Sequence, residues 1–510
     1  MNQKRPSFDG RFSFKISFFS RYKNIPLSQK VYRTKSQLLG ISYIPMSISI
    51  CILLTNPIFL KVPPLGHEFT MTFSATRFAR FFERRSPEEQ PTWLIILGLL
   101  SIVIYALTRT GFSEVAGVAS TIATLTGFWG LYKYGSLVNS HVLFRFIWVA
   151  IAFQLVSWGL SLYVTPEWAE SSPKLDKIAR WFVFIPLAWW VAQYKNAVWL
   201  VWGCAALGIL LSPWVTGEGI PEIIRGLEGE RVFFGLRQAQ HTSLFFGIIL
   251  IGLLCFTRAI INRNKWLSIP LILTILYCLL IIYINASRQA WLALLITAAI
   301  MATYFTIKRF NKATIRQKFT IISVFLIGIL VLGISITNND TIVKRVMLEK
   351  EALSAIASLN FDDVPYSSFG IRLHSWVAAT EFIKEKPIFG WGSNGRSLVM
   401  KKTEWLPEDI KKDFGHLHNI YIEILVNFGI VGLAFYISIW IIMAKNLFKQ
   451  IKAGKIEKNI GYFFTGFLIF WSIMNCFEAY QNFWTGVFYF TVFMTGIQAK
   501  IWRSKHTLKH

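Results

Sequence analysis

Acidic residues and cysteines are scarce in this sequence, and their scarcity argues against several classes of protein. The chain has 27 Asp and Glu against 53 Lys and Arg, for a formal net charge of +26. Its five cysteines all lie in apolar segments, which argues against disulfides and against a cysteine-based metal site. It also has no Asp-x-Asp pair and no phosphate-binding P-loop, and its carboxylates are scattered. We therefore expect no metal, no cofactor and no use of ATP.

Apolar residues, by contrast, are abundant. They make up 54% of the 510 residues, and the mean hydropathy is +0.46. This is too apolar for a soluble protein of this size, so the composition predicts an all-α polytopic membrane protein. In such a protein an excess of Lys and Arg marks cytoplasmic loops more often than a nucleic-acid site. We expect membrane lipids, and no nucleic acid, among its partners.

Long apolar segments recur from residue 38 to residue 501 and predict about twelve transmembrane helices, with both termini in the cytoplasm. The segments are 38–60, 93–108, 112–131, 141–163, 178–194, 197–212, 241–257, 267–285, 289–307, 318–337, 419–443, 460–478 and 483–501. They divide the chain into a basic cytoplasmic tail (1–37), an N-terminal transmembrane part (38–212), a central region (213–443) and a C-terminal part (444–510).

Lysines and arginines orient the second half of the chain. The positive-inside rule assigns their clusters to the cytoplasm, at 258–265, 308–318, 445–458 and 500–509. The segments 213–240, 285–289, 338–418 and 479–482 then share the opposite face. In the first half two interpretations stay open, because 1–37 and 61–92 are both basic. Either 38–60 does not cross the membrane, or another boundary differs.

The segment 338–418 is the one sizeable exterior loop that the pattern predicts. Leu373, Trp376, Thr380 and Ile383 fall on one stripe of a helix, which Pro387 would end. The following residues, 389–395, combine glycines with aromatic side chains. They predict a flexible loop, which could be a lid, a surface for stacking on sugars, or an ordinary surface loop.

Two histidines stand where this polar segment meets the next apolar one. The sequence there reads His418-Asn419-Ile420-Tyr421, and Gly429 and Gly432 follow within the apolar run. This pattern resembles the signature of the O-antigen ligase and O-antigen polymerase superfamily of bacterial membrane glycosyltransferases. The family usually has an acidic residue where this chain has Asn427.

Three further segments resemble the same family, in the family's order, over roughly residues 225–440. The segment 231–241 is similar to a family segment that contains arginine and glycine, although Gln240-His241 stands where the family often has Pro-Asn. Ser287-Arg288-Gln289-Ala290 matches a Ser-Arg-x-Ala element. A third run, of arginine, tryptophan, proline and two glycines, is matched by Arg372, Trp376, Pro387, Gly390 and Gly392.

The resemblance implies a metal-independent enzyme of the bacterial inner membrane with its active site facing the periplasm. Its donor would be a glycan linked to undecaprenyl diphosphate, and its acceptor a hydroxyl group. In a ligase the acceptor is the lipid A–core oligosaccharide of lipopolysaccharide. An O-antigen or exopolysaccharide polymerase and a protein O-oligosaccharyltransferase are alternatives within the family. A transporter or flippase is the alternative from another class, but few charges lie within the predicted spans.

The resemblance also assigns roles to individual residues. His418 would be the catalytic base, and His416 matches the family position less well. Asn419 could cap the following helix or orient the His418 ring, and Tyr421 could hold a sugar or sit at the membrane interface. Four arginines would bind the diphosphate, because guanidinium groups match phosphate oxygens in pairs: Arg288, Arg231, Arg237 and Arg372.

Simpler interpretations of these residues stay open. The histidines could be ordinary interfacial residues, since an imidazole ring suits the headgroup level. Arg288 could extend along apolar surface with its charge in water. Arg372 could pair with Asp362 or Asp363 and hold the loop.

Overall fold

The computed structural model describes residues 90–135, 142–310, 364–413 and 415–506, together with Ser354. Within these ranges the chain forms α-helices, short 3₁₀ turns and loops, and no β-strand. The predicted tail 1–37, the predicted spans 38–60 and 318–337, and residues 338–353 and 355–363 of the exterior segment lie outside the described residues.

The helices follow the apolar segments of the sequence closely. In chain order they are α1 (Thr92–Thr108), α2 (Ser113–Tyr134), α3 (Val142–Val164), α4 (Leu175–Ala179), α5 (Phe184–Ala192), α6 (Ala197–Val215), α7 (Ile220–Leu227), α8 (Ala239–Arg263), α9 (Ser268–Ile284), α10 (Arg288–Phe310), α11 (Ser368–Glu385), α12 (Gly395–Lys402), α13 (Glu408–Asp413), α14 (Ile420–Lys452), α15 (Lys458–Met474) and α16 (Trp484–His506). The predicted span 178–194 is helical but tightens to a 3₁₀ turn at Arg180–Phe182, between α4 and α5.

Seven of the described helices are long and apolar enough to cross a bilayer. They are α2, α3, α6, α8, α9, α10 and α14, and α1 and the segment Arg180–Ala192 are shorter apolar helices. A multi-pass, all-helical membrane protein is therefore confirmed. The count of about twelve spans stays a prediction.

Helices α15 and α16 form the centre of the bundle. Helix α16 packs against α5, α6 and α14, and α15 packs against α8 and α10. Phe467 of α15 stacks on Phe493 of α16 with ring centroids 3.6 Å apart. Trp471 and Phe470 of α15 have no exposed surface. Because both helices are covered by neighbours, their aromatic side chains supply the core of the bundle.

Helix α14 is broken at Gly429, whose φ of 63° is not helical. The break frees backbone groups at apolar depth, where each would be costly without a hydrogen-bond partner. The segment 387–392 supplies the partners at distances of 2.8–3.3 Å: Ile430 N–H to Pro387 O, Val431 N–H to Ile388 O, Trp391 N–H to Val426 O, and Gly392 N–H to Asn427 O.

These hydrogen bonds correct the prediction of a flexible loop at 389–395. Residues 390–392 are fixed against the broken helix, and Gly390 and Gly392 have the positive φ that this course requires. A Cβ atom on Gly390 would lie 2.5 Å from Val426 O, so a larger residue would push the segment off the helix. This part of the chain is a structural strap rather than a lid.

The described part of the exterior segment forms three helices, α11 to α13, with a small core of their own. Val399 and Met400 of α12 are buried there with Ala378 and Ala379 of α11. Helix α11 contains the predicted apolar stripe and ends before Pro387, as the sequence predicted, and it begins after a Ser367 cap that the sequence reading did not identify.

Candidate active site

Four loops meet at one face of the bundle, at the starts of α8, α10, α14 and α16. Tyr480 joins three of them, because its hydroxyl accepts from Gln289 Nε2 at 2.8 Å and donates to Gln240 O at 3.3 Å. Asn482, in the same 3₁₀ turn, donates to Glu423 Oε2 of α14 at 2.6 Å. The segments that the charge pattern assigned to a common face thus contact each other.

His416, His418 and Glu478 form the polar centre of this face. His418 Nδ1 lies 3.2 Å from Glu478 Oε2, and His416 Nε2 lies 3.4 Å from Glu478 Oε1. The two imidazole rings have their centroids 3.9 Å apart. The Glu478 side chain is only 2% exposed, whereas those of His418 and His416 are 13% and 28% exposed. A buried carboxylate therefore lies behind two histidines that still reach the surface.

Glu478 and His418 shift each other's pKa values against the effect of burial. Burial lowers the pKa of His418, the hydrogen bond and the charge of Glu478 raise it, and the positive charges of His416 and Arg372 lower it again. The net shift is downward, so His418 is neutral at pH 7 and able to accept a proton. Burial alone would raise the pKa of Glu478, but the hydrogen bonds and charges of both histidines outweigh it and lower that pKa.

The backbone on either side of His418 is fixed by three hydrogen bonds. Leu417 N–H donates to Glu423 Oε1 at 3.1 Å, Trp376 Nε1 donates to Leu417 O at 2.8 Å, and Ile420 N–H donates to Asn475 O at 3.0 Å. His418 itself has a φ of 50°, which is uncommon for a residue with a Cβ atom. Such strain persists where the surroundings determine the conformation, and it concentrates at functional sites.

Two neighbours of His418 have structural contacts. Asn419 caps α14, because its Oδ1 accepts from Tyr421 N–H and Ile422 N–H, and this is one of the two roles that the sequence allowed. The Tyr421 hydroxyl donates to Ser472 O at 3.1 Å, which links α14 to α15. This bond engages the hydroxyl that was predicted to hold a sugar or lie at the interface.

Glu423 and Arg396 support the histidines and were missed by sequence reasoning. Arg396 Nη1 lies 3.1 Å from Glu423 Oε2, and the Glu423 side chain is 2% exposed. Glu423 thus binds Arg396, Asn482 and the backbone of Leu417 together. A buried carboxylate with several partners is a strong constraint on a loop, because losing one partner leaves a charge unpaired. The sequence signal was an acidic residue at the start of an apolar segment.

Arg231 and Arg237 lie in the loop before α8. Arg231 Nη2 donates to Gln240 Oε1 at 3.0 Å, and the Arg237 guanidinium lies 4.1 Å from the centre of the Phe483 ring. Both side chains are exposed. Phe483 lies five residues after Glu478, and its ring centroid is 6.0 Å from that of His416. The structure therefore brings these two arginines to the histidine face.

Glu222, another buried carboxylate, shapes this loop. It accepts from the backbone N–H groups of Phe233 and Phe234 at 3.2 and 2.6 Å. Phe234 has a φ of 53°, and Ala286, just before Ser287-Arg288, has a φ of 50°. Of the four non-glycine residues with positive φ in the described parts of the chain, three thus lie in loops of this face.

Arg288 and Arg372 approach from two other elements. Arg288 is exposed at the first position of α10, next to the Gln289 that binds Tyr480. Arg372 is half-buried on α11, one turn before Trp376, and its charge adds to the effect of burial that lowers the pKa of His418. Asp362 and Asp363, the alternative partners predicted for Arg372, lie outside the described residues.

The same three side chains could hold a metal ion. The donor atoms of His416, His418 and Glu478 lie within 4.8 Å of one another, and two histidines with one carboxylate are a known zinc ligand set. The sequence predicted no metal because it has no Asp-x-Asp pair and its carboxylates are scattered, and Glu478, 60 residues from His418, does not form a local motif with it. The distances from the histidine nitrogens to the Glu478 oxygens also fit direct hydrogen bonds. The geometry therefore allows either a bound metal ion or hydrogen bonds within the cluster.

A comparison with protein families identifies part of the chain. Residues 273–437 match the family model described as O-antigen ligase. The resemblance deduced from the sequence motifs is confirmed over this stretch, which contains Arg288, Arg372 and His418. The matched stretch covers about a third of the chain.

A search of curated proteins adds one relative. The chain is 29% identical over 221 residues to an uncharacterised protein of Haemophilus influenzae. The aligned region covers 42% of this chain and 45% of the relative. The match thus spans less than half of either protein, and its printed name assigns no activity.

Proposed function

We propose that the protein transfers a glycan from undecaprenyl diphosphate to an acceptor hydroxyl on the periplasmic face of the inner membrane. The acceptor that we propose is lipid A–core oligosaccharide, which makes the reaction an O-antigen ligation in lipopolysaccharide biosynthesis. One observation carries the proposal: His418, partly exposed beside the buried Glu478, lies on the face where four loops meet and where the side chains of Arg231, Arg237 and Arg288 are exposed.

His418 is the general base of the proposed reaction. Its neutral ring removes the proton from the acceptor hydroxyl, and the acceptor oxygen forms a bond to the anomeric carbon of the glycan. The bond from that carbon to the diphosphate oxygen breaks, and undecaprenyl diphosphate leaves with the electron pair. Base assistance of this kind typically contributes about 10²–10⁴-fold. Glu478 orients the ring and stabilises the imidazolium that forms, which is the part a carboxylate takes behind a histidine base.

The arginines bind the diphosphate, on which negative charge increases as the glycan leaves. Guanidinium groups are always protonated and present paired donors, so they can follow this charge without a metal. Arg288 is the first choice because it is exposed at the start of a helix on the histidine face. Arg231, Arg237 and Arg372 are the helpers.

Surface transfer is better supported than transport. Broken helices are common in transporters, where the freed backbone binds the substrate or ion. In α14 the freed backbone groups are bound by the chain's own segment 387–392. The polar side chains that remain available, such as His416 and Arg237, lie at the end of the bundle rather than at mid-depth.

The proposal is tested with purified protein in proteoliposomes, a lipid-linked glycan donor and lipid A–core acceptor. We expect His418→Ala to abolish transfer while the protein stays folded, and His416→Ala to be milder. Arg288→Ala should also abolish transfer, and Arg288→Lys should recover only part, because a point charge loses the paired donors. His374→Ala is a control, since this buried histidine of α11 donates from Nε2 to Val364 O, outside the cluster.

Two results would contradict this assignment. Transfer by His418→Ala within a few-fold of the wild-type rate would exclude the general base. Transfer between two lipid-linked glycans, with none to lipid A–core, would make the protein a polymerase. In cells, a deletion that removes long glycan from lipid A while lipid-linked polymer accumulates indicates a ligase, and single repeats on lipid A indicate a polymerase.

A further inference from the structure

A deep apolar groove lies in the half of the bundle away from the histidine face. Its volume is about 290 Å³, and α6, α8, α15 and α16 form its walls. The lining is almost entirely carbon, with Trp202, Phe256, Phe463 and Phe493 among the aromatic side chains. Trp202 Nε1 donates a hydrogen bond to Val492 O at 3.1 Å. This bond fixes the Trp202 ring as a wall of the groove.

The position of the groove along α8 sets its depth. It runs from Ile248 to Ile260, and at 1.5 Å per residue these positions lie about 10 and 28 Å along the helix from His241. Its length of about 18 Å is close to one leaflet, which is about half of a 30 Å hydrocarbon core. The groove therefore fits a chain that enters from the side opposite to the histidines.

A cation lies at that far end. Lys500 Nζ is 4.9 Å from the centre of the Trp199 ring, and Trp199 lines the groove. Lys500 is only 12% exposed, and its partner Glu457 is 62% exposed at 3.4 Å. An exposed carboxylate at this distance is a weak partner that an anionic headgroup can supplement.

We propose that the groove binds one acyl chain of an anionic phospholipid of the cytoplasmic leaflet, whose phosphate lies near Lys500. The apolar walls take the chain, and the charge at the far end selects the headgroup. The lipid of the donor substrate is a poorer fit, because its diphosphate would lie at the histidine face and leave Lys500 with only the exposed Glu457 described above as its anionic partner. The choice of leaflet and the exclusion of the donor lipid rest on the proposed function, whereas the lipid occupancy of the groove is measured without glycan transfer.

Gly203 offers a direct test. It lines the groove, and a Cβ atom built on it meets no heavy atom within 4 Å. Gly203→Leu therefore extends a side chain into the groove from a position with room for its Cβ atom, and it replaces glycine by a better helix former. Gly159→Leu is the matched control, because Gly159 lies in α3, away from the groove, and also has open space at its Cβ.

The measurement is lipid occupancy by native mass spectrometry, on delipidated full-length protein titrated with phosphatidylglycerol or phosphatidylcholine. We expect wild type and Gly159→Leu to bind phosphatidylglycerol with about fivefold preference, which is the effect of one lysine near an anionic headgroup. Gly203→Leu should lose at least tenfold in occupancy, and Lys500→Gln should keep the binding but lose the preference. Ala206→Leu, at a second position of the lining, should repeat the Gly203→Leu result.

Three results would overturn the proposal. One is equal occupancy in Gly203→Leu, Ala206→Leu and Gly159→Leu. Another is equal binding of the two phospholipids by the wild type. The third is displacement of phosphatidylglycerol by an equal concentration of undecaprenyl phosphate, which would assign the groove to the donor's tail. Melting curves of the variants in detergent verify that the compared proteins are folded.

Discussion

Replacing Glu478 by glutamine removes the negative charge that His416 and His418 share, with little change in shape. In the wild type, burial lowers the pKa of His418, while the hydrogen bond and the charge of Glu478 raise it. The variant loses the charge, and its neutral amide oxygen accepts a weaker hydrogen bond in place of the charge-assisted one. The pKa of His418 therefore falls further, and the ring also loses a charge-assisted hydrogen bond that fixes its orientation.

The size and the sign of the effect follow from these contacts. A hydrogen bond to a charged group contributes about 1.5–3 kcal/mol, so the plateau rate should fall about 10- to 150-fold. A general base works only when neutral, so activity falls as the pH drops below its pKa. Because that pKa is lower in Glu478→Gln, the acid limb of the pH–rate profile should move to lower pH.

The assay is the rate of glycan transfer in proteoliposomes across a range of pH. Arg372→Gln should shift the acid limb in the opposite direction. The charge of Arg372 adds to the burial that lowers the pKa of His418, so its loss should move the acid limb to higher pH. Glu423→Gln is the control: it changes an equally buried carboxylate that binds the Leu417 backbone. Its rate falls as the loop loosens, but its acid limb stays in place. An unmoved acid limb in Glu478→Gln, or a shift to higher pH, would refute the assigned role.

Three further predictions concern the broken helix, the metal and the topology. Gly429→Ala should lower the melting temperature in detergent, because the new Cβ atom would clash with Ile388 O. Gly159→Ala, at a position with open space, should not lower it. Equal melting temperatures of the two variants would refute the need for glycine at the break. Transfer should survive exhaustive chelation, since hydrogen bonds satisfy Glu478; loss with EDTA and recovery with one added divalent cation would make the cluster a metal centre. Cysteine labelling in a cysteine-free background should reach 338–418 from the periplasm and 308–318 and 444–459 from the cytoplasm, and the reverse pattern would invert the proposed catalytic face.

The arrangement of helices along the chain could be predicted because lipid leaves few alternatives. An apolar run near 20 residues has to satisfy its backbone internally, so it forms a helix. The predicted segments 93–108, 241–257 and 483–501 accordingly correspond to α1, α8 and α16. The number of spans could not be predicted in the same way, because short or broken apolar segments fall below the length of about 20 residues that crosses a bilayer.

The candidate site was only half visible in the sequence. The local pattern at His418-Asn419 indicated a histidine at a helix start and a capping residue, and both are observed. The partner Glu478 gave a weaker signal: it was a carboxylate near the end of an apolar segment, which is a functional hypothesis by default but does not name its contact.

The sequence by itself determined the helical segments and the histidine motif, and it predicted that the arginines and histidines share one face. These follow from local composition and spacing, which act within a few residues. Only the tertiary structure decided that Glu478 lies between His416 and His418, that Glu423 binds Arg396 and the Leu417 backbone, and that 387–392 closes the break in α14. Apart from the bond between Glu423 and Leu417, these contacts join residues that are distant in the chain, and packing of whole helices, which has no short-range period, brings them together.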